Sequence, residues 1–229
     1  MRRLCFKKMV LTLSLASLPN LIQASPASKE YVDKQIHDAL EAVQVQLHQQ
    51  NTKIETELNE LTHHIGESYQ GGLVIWVDES GQHGLIAAKG SATYSAVQWR
   101  NGESGEKTTN AKANGVFAGL SNTQLIISEQ TIDDQEGQFA ALVAHQFAVQ
   151  DDGMAPCDKT HICYGNWYLP SLTELQLIQQ NAYFQGISGR FWSSSEESIS
   201  SAYLLDFSSG KALSMDKATE ALVLPIHSF

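Results

Sequence analysis

Between residues 29 and 65 the chain has neither proline nor glycine, and its apolar positions form one narrow stripe. Asp33, Ile36, Leu40, Val43 and Leu47 alternate at spacings of three and four, and the alternation resumes at Asn51, Ile54, Leu58, Leu61 and Ile65. The four-residue slip between Leu47 and Asn51 is a stutter, which locally unwinds a left-handed supercoil. Polar residues fill the other faces, so the pattern predicts a self-associating helix over 28–66 rather than a helix lying on a globular core. At 1.5 Å per residue such a stalk is about 55 Å long. Mixed β-branched and leucine positions do not enforce a dimer. The start at Tyr31-Val-Asp-Lys-Gln-Ile36 resembles the stalks of trimeric surface and phage-fibre proteins, so a parallel homotrimer is expected. A solitary helix docked on the following domain is the alternative.

After Gly71-Gly72 the period changes. Short apolar runs at 73–77 and 84–88 flank Asp78-Glu-Ser-Gly-Gln82, a hairpin signal. Residues 101–115 are rich in Gly, Asn, Thr, Lys and Glu without apolar period, which predicts a long exposed loop. Helices are expected at 122–130 and 136–149. An aromatic strand ends at Pro170, which has no amide proton for a ladder. Ser171 then reads as an N-cap, with Glu174 placed to complete a capping box worth about 1 kcal/mol. Leu172, Leu175 and Ile178 give that helix an apolar face. Strands follow at 191–194, 202–207, 211–215 and 221–226. Segregated short strands and three short helices read as an α+β domain over 69–229, large enough for one core. The order of strand, capped helix and closing strands is similar to that of C-type-lectin-like domains.

Two runs carry a family resemblance: Asn166-Trp-Tyr-Leu-Pro-Ser-Leu-Thr-Glu-Leu175 and Arg190-Phe-Trp-Ser-Ser-Ser-Glu196. They resemble the C-terminal domain of the Legionella collagen-like adhesins, whose signature is W-Y/R-L-P-S/T-x-x-E-L followed by Y/F-W-S-S-S/T-E. Gly71 to Leu85 is similar to that family's opening hairpin, and Ser121 to Ile127 and Phe139 to Ala141 to its middle helices. The resemblance implies binding of extracellular polysaccharide, with sulfated glycosaminoglycans the associated class. The chain departs from the pattern in lacking Gly-X-Y repeats, and its closing segment reads Leu224-Pro-Ile-His-Ser-Phe229 where relatives often carry arginines.

Charge and cysteines narrow the setting. Arg2, Arg3, Lys7 and Lys8 precede an apolar run over 9–18, and small residues near Ala24 and Ala27 offer cleavage sites, so residues 1–24 read as a secretory signal peptide. The run is too short to span a membrane, and no later one approaches about 20 apolar residues. Cleavage would move the formal charge from −10 to −14. Such acidity disfavours nucleic acid and anionic surfaces. Cys157 and Cys163 survive processing, and a small disulfide loop is expected in an oxidising compartment, in preference to a redox or metal role.

Catalytic signals are thin. The acidic pairs Asp133-Asp134, Asp151-Asp152 and Glu196-Glu197 read as solvated turn residues rather than a glycosidase pair. Residues 151–156 match a calcium loop only in part. The eight histidines show no H-E-x-x-H or similar spacing, and Ser193 to Ser195 lack a nucleophile elbow. No metal or cofactor is expected. Trp76, Trp167 and Trp192 sit in strand-like contexts and read as core, whereas Trp99, beside Arg100 at the mouth of the polar loop, is a candidate sugar platform, although packing is the favoured reading even there. An anionic glycan would draw on Arg100, Lys107, Lys112 and Arg190. The reading is a secreted or cell-surface, non-catalytic adhesin whose partner is an extracellular glycan or a host or bacterial surface component. A structural multimer or a secreted polysaccharide hydrolase are the alternatives.

Overall fold

The structure, a computed structural model, describes residues 29–89, 95–158 and 160–229, apart from the side chain of Glu60. The expected signal peptide lies outside the described residues. The described residues divide into two compact units, one ending at Glu55 and the other running from Thr56 to Phe229.

Helix α1 spans Lys29–Glu60, about 48 Å at 1.5 Å per residue. Its stripe is bare: Ile36, Leu40, Val43, Leu47, Ile54 and Leu58 are each between 54% and 61% exposed. The helix stops short of the expected 66. Leu61 and Ile65 follow its last turn, where His63 N–H donates to Gly81 O at 2.7 Å and Gly66 N–H to Val74 O at 2.8 Å. Backbone pairing with the hairpin therefore overrides the heptad pattern here.

The second unit is mixed α and β. One sheet holds β1 (Ser68–Tyr69), β2 (Gly72–Val77), β3 (Gly84–Ala88) and, from the far end of the chain, β11 (Ile226–Ser228), in that order. A five-stranded sheet has the order β4-β10-β7-β8-β9, from β4 (Ala96–Gln98), β7 (Arg190–Glu196), β8 (Ser201–Asp206), β9 (Lys211–Asp216) and β10 (Glu220–Leu222). All pairings are antiparallel except β10 with β7. β5 (Val149–Gln150) and β6 (Cys163–Tyr164) make a small separate ladder. The helices are α2 (Ala118–Gln130), α3 (Ala140–Gln146) and α4 (Leu172–Gln180), followed by a 3-10 turn at Ala182–Phe184. Among the described residues no helix is long and apolar enough to cross a membrane.

Alternation along β7 and β8 builds two cores. Phe191 and Leu205 face a core with Leu85, Ile86, Trp167, Leu175 and Ile178, while Trp192 and Leu204 face a second one with Trp99, Ile126, Phe139 and Ala144. The expected strand at 221–226 is instead two strands in two sheets. Pro225 cannot donate to a ladder, and the buried Val223-Leu224 link carries the chain from one sheet to the other. The expected aromatic strand before Pro170 reduces to a single bridge between Tyr168 and Ile226. α3 is shorter than expected because Val149 pairs with Tyr164 in the ladder that carries the Cys157–Cys163 disulfide.

The capping box forms as read. Ser171 Oγ accepts from Glu174 N–H, and Glu174 Oε2 accepts from Ser171 N–H at 2.7 Å. Glu174 is wholly buried and also receives Phe117 N–H at 2.7 Å and Gly119 N–H at 3.1 Å. One carboxylate thus joins the N-termini of α2 and α4, where partial positive charge favours an anion. Burial still pushes its pKa up, against the Ser171, Phe117 and Gly119 hydrogen bonds. Gly119 is required at this joint, since a Cβ there would fall 2.5 Å from Glu174 Oε2 and 2.6 Å from Leu169 O.

Candidate functional site

The segment after β4 is irregular but not loose. Asn101 is 1% exposed: its N–H donates to Gln130 Oε1 at 2.8 Å, and its Nδ2 donates to Gln130 O at 3.1 Å and Asp134 O at 2.6 Å. Gln130 Nε2 in turn donates to Gly105 O at 3.0 Å. Farther on, Asn122 Nδ2 donates to Ala113 O at 2.7 Å and Asn114 Oδ1 accepts from Thr173 N–H at 2.9 Å. The expected exposed loop at 101–115 is therefore a strap, held by side chains of α2 and by backbone of α4. Most of its residues are exposed, as expected, while buried Asn101, Gly105, Thr109 and Ala111 tie it to the fold.

At its centre is a buried ion pair. Lys217 Nζ lies 2.6 Å from Glu196 Oε1, with both side chains fully buried. The other two Nζ protons go to Lys107 O and Ile199 O, each at 3.0 Å, and the ammonium sits 4.6 Å from the Trp99 ring centre. Glu196 also accepts from Thr109 N–H at 2.7 Å and Asn110 N–H at 2.8 Å. Burial lowers the Lys217 pKa, and Glu196 opposes that shift. Glu196, expected in a solvated turn, instead ends the buried run of β7. Every charge in the cluster has a partner, the condition under which a buried pair is tolerated.

Trp99 takes the favoured packing role, not that of a sugar platform. It is fully buried, its Nε1 donating to Ser193 O at 2.8 Å, so it offers no ring face to a ligand. It follows the end of β4 and packs in the core that also holds Ile126 of α2 and Ala140, Ala141 and Ala144 of α3. The cations expected to meet an anionic glycan are largely engaged: Arg100 Nη1 meets Glu106 Oε2 at 2.9 Å and Lys107 Nζ meets Asp133 Oδ2 at 2.5 Å. Arg190 Nε lies 3.7 Å from Asp206 Oδ2, at the opposite end of β7 from Glu196, about 20 Å away at 3.3 Å per residue. Lys112 is exposed on the strap. The structure thus places Arg100, Lys107 and Lys112 on one segment and leaves Arg190 apart. The motif serines serve the backbone, Ser193 Oγ donating to Tyr203 O at 2.7 Å and Ser195 Oγ accepting from Leu172 N–H at 3.2 Å.

A cleft of about 350 Å³ lies beside the strap, between β4 and the turn at 134–138. Its polar lining comes from Gln98, Asn101, Asp134, Gln138 and Glu220, of which only Asp134, in an acidic pair, stands out in the sequence. Its floor is fixed by the Asn101 carboxamide, which packs so closely on Gly137 that a Cβ there would collide with its oxygen. Among the described residues no three His, Cys, Asp or Glu side chains converge to hold a metal ion. A scan against protein-family models finds no match for this chain, and a search of curated proteins finds none either.

Proposed function

We propose that the chain is an exported, non-catalytic recognition protein in which a coiled-coil stalk gathers several copies of a glycan-binding head, three by preference. The observation that carries this reading is the bare stripe of α1. Six Ile, Leu and Val side chains more than half exposed on one helix call for cover, and burying each fully is worth roughly 1.5–3 kcal/mol. Copies of the same stripe supply that cover in register. Joining heads in this way makes weak single sites useful, with gains of about 10² to 10⁴ in avidity.

The head is proposed to be of the kind found at the C-terminus of the Legionella collagen-like adhesins, with a lectin-like arrangement. The capping box at Ser171 and Glu174, the buried Trp-Ser-Ser-Ser run of β7, and the pairing of β11 with β3 support that assignment. The non-catalytic part of the reading draws on the commitment of Glu174, Glu196 and the motif serines to structural hydrogen bonds. A second reading, a structural multimer contacting another bacterial surface protein, is favoured by one feature. Phe117, Leu120, Leu125 and Ile132 are exposed on and beside α2.

Light scattering of the exported chain, paired with a glycan array, tests the proposal. A multimeric mass with binding to at least one polysaccharide is the expected result. Single copies at working concentration would overturn the multivalent part, and an array without any binding would favour the second reading.

A further inference from the structure

We infer that the cleft between β4 and the 134–138 turn is a saccharide subsite, and that it takes an uncharged, hydroxyl-rich sugar rather than a sulfated one. This rests on the recognition reading above and names the ligand class that reading leaves open.

The position comes from topology. β4 is the outermost strand of its sheet, and among the described residues one side of it has no partner strand. Gln98 of β4 stands directly across from Glu220 of β10. Side chains opposed in this way have Cβ atoms about 4.5–5.5 Å apart, which puts a carboxamide and a carboxylate side by side on one wall. Gln138, on the opposite wall, is exposed, and Ala96 and Val97 add a small apolar patch.

The groups match the ligand chemistry. A sugar hydroxyl both donates and accepts, and neighbouring hydroxyls need partners that do the same. Carboxamides offer two donors and an acceptor, and a carboxylate offers acceptors only, so Gln98, Gln138 and Glu220 together satisfy adjacent hydroxyls of one ring. The volume is at the low end of the roughly 300–1,000 Å³ typical of small-molecule sites, suited to one or two rings.

The charge excludes sulfate. Glu220 and Asp134 line the cleft, while the cations on the neighbouring strap, Arg100 and Lys107, face Glu106 and Asp133. A sulfate here would meet carboxylates, and among the described residues no lysine or arginine lines the cleft to offset them. The site is also formed in advance. Both Nδ2 protons of Asn101 are committed, to Gln130 O and Asp134 O, so the protein's own hydrogen bonds fix the spacing of strap and turn. Binding then has little ordering cost to meet.

The test uses the full exported chain, immobilised dextran, mannan and galactan as neutral probes, and heparin as the sulfated one. Wild type is expected to bind at least one neutral probe, with affinity changing less than about threefold between roughly 50 and 500 mM NaCl, since no counterions are released. Replacing Gln98→Ala and Gln138→Ala together removes two hydrogen-bonding partners and should weaken that binding roughly tenfold or more, with mass and melting temperature unchanged. Neutral binding that survives the double substitution overturns the subsite but leaves recognition standing. Heparin binding that falls with salt and is lost in Lys112→Ala overturns the ligand class alone. Binding to none of the four probes overturns the inference, and if a wider array is also blank, the recognition reading falls with it.

Discussion

Along α1 the apolar residues from Ile36 to Leu58 are more than half exposed, whereas in the unit from Thr56 onward Trp99, Trp167, Trp192, Phe139 and Phe191 have no exposure at all. Two stretches of one chain thus meet the same demand, removal of apolar surface from water, by different means. The head closes two cores on either face of its five-stranded sheet. The helix has one apolar face to bury, and on the proposed reading its cover comes from other copies of the chain. If the proposed assembly holds, head stability is intrinsic, while stalk order depends on protomer concentration through mass action.

The sharpest way to break that contrast is to remove the stripe. Replacing Ile36, Leu40, Val43 and Leu47 together by serine should abolish assembly, lowering the mass from multimer to single copy by light scattering and reducing helical circular dichroism. Near-ultraviolet signals from the head tryptophans should persist. An unchanged mass would sink the assembly argument.

Inside the head, the largest single effect is expected at the buried pair. Glu196→Gln leaves the Lys217 ammonium without its counter-charge and should cost about 3–5 kcal/mol in urea unfolding, as breaking buried pairs does. A loss below about 1 kcal/mol would mean that the Lys107 and Ile199 carbonyls suffice to hold the charge. Ser171→Ala, which deletes an N-cap, should cost about 1 kcal/mol, read in the same experiment. Neither change should alter the mass of the assembly.

The smallest effect is one of pH. His227 has Nδ1 3.2 Å from Asn166 O and Nε2 3.1 Å from Gln70 Oε1. Burial lowers its pKa from 6.5, against the Asn166 hydrogen bond. With the folded value depressed, the unfolded chain binds more protons below pH 6.5, so stability is present above that pH and lost as pH falls through the folded value. The head's melting temperature should decline on acidification below about pH 6.5, and His227→Gln should flatten the decline. A slope identical in both proteins would remove His227 from the account.

Legibility from sequence follows the range of the interaction. The capped helix at Ser171, the hairpin of β2 and β3, and strands β7, β8 and β9 were readable because each rests on residues within a few positions of one another. Glu196 and Lys217 are 21 residues apart, and Thr109 lies 87 residues before Glu196, so no local pattern points to their meeting. The same holds for the cleft, where Gln98, Gln138 and Glu220 come from three distant segments of ordinary polar composition. Trp99 looked available because its neighbours in sequence are polar, although its neighbours in space are Ser193 and Lys217.

What sequence alone determined is periodic or local: a long helix with one apolar stripe, a capped helix, and short strands that alternate between two environments. Those features depend on backbone geometry, which repeats over a few residues. What tertiary structure decided is where charge and polarity ended up. It buried an acid and a lysine together, pinned an exposed loop at a few buried polar points, divided the closing strand at Pro225, and left a small polar cleft beside β4. Burial and pairing depend on which distant segments come to lie side by side, and only the folded chain sets those distances.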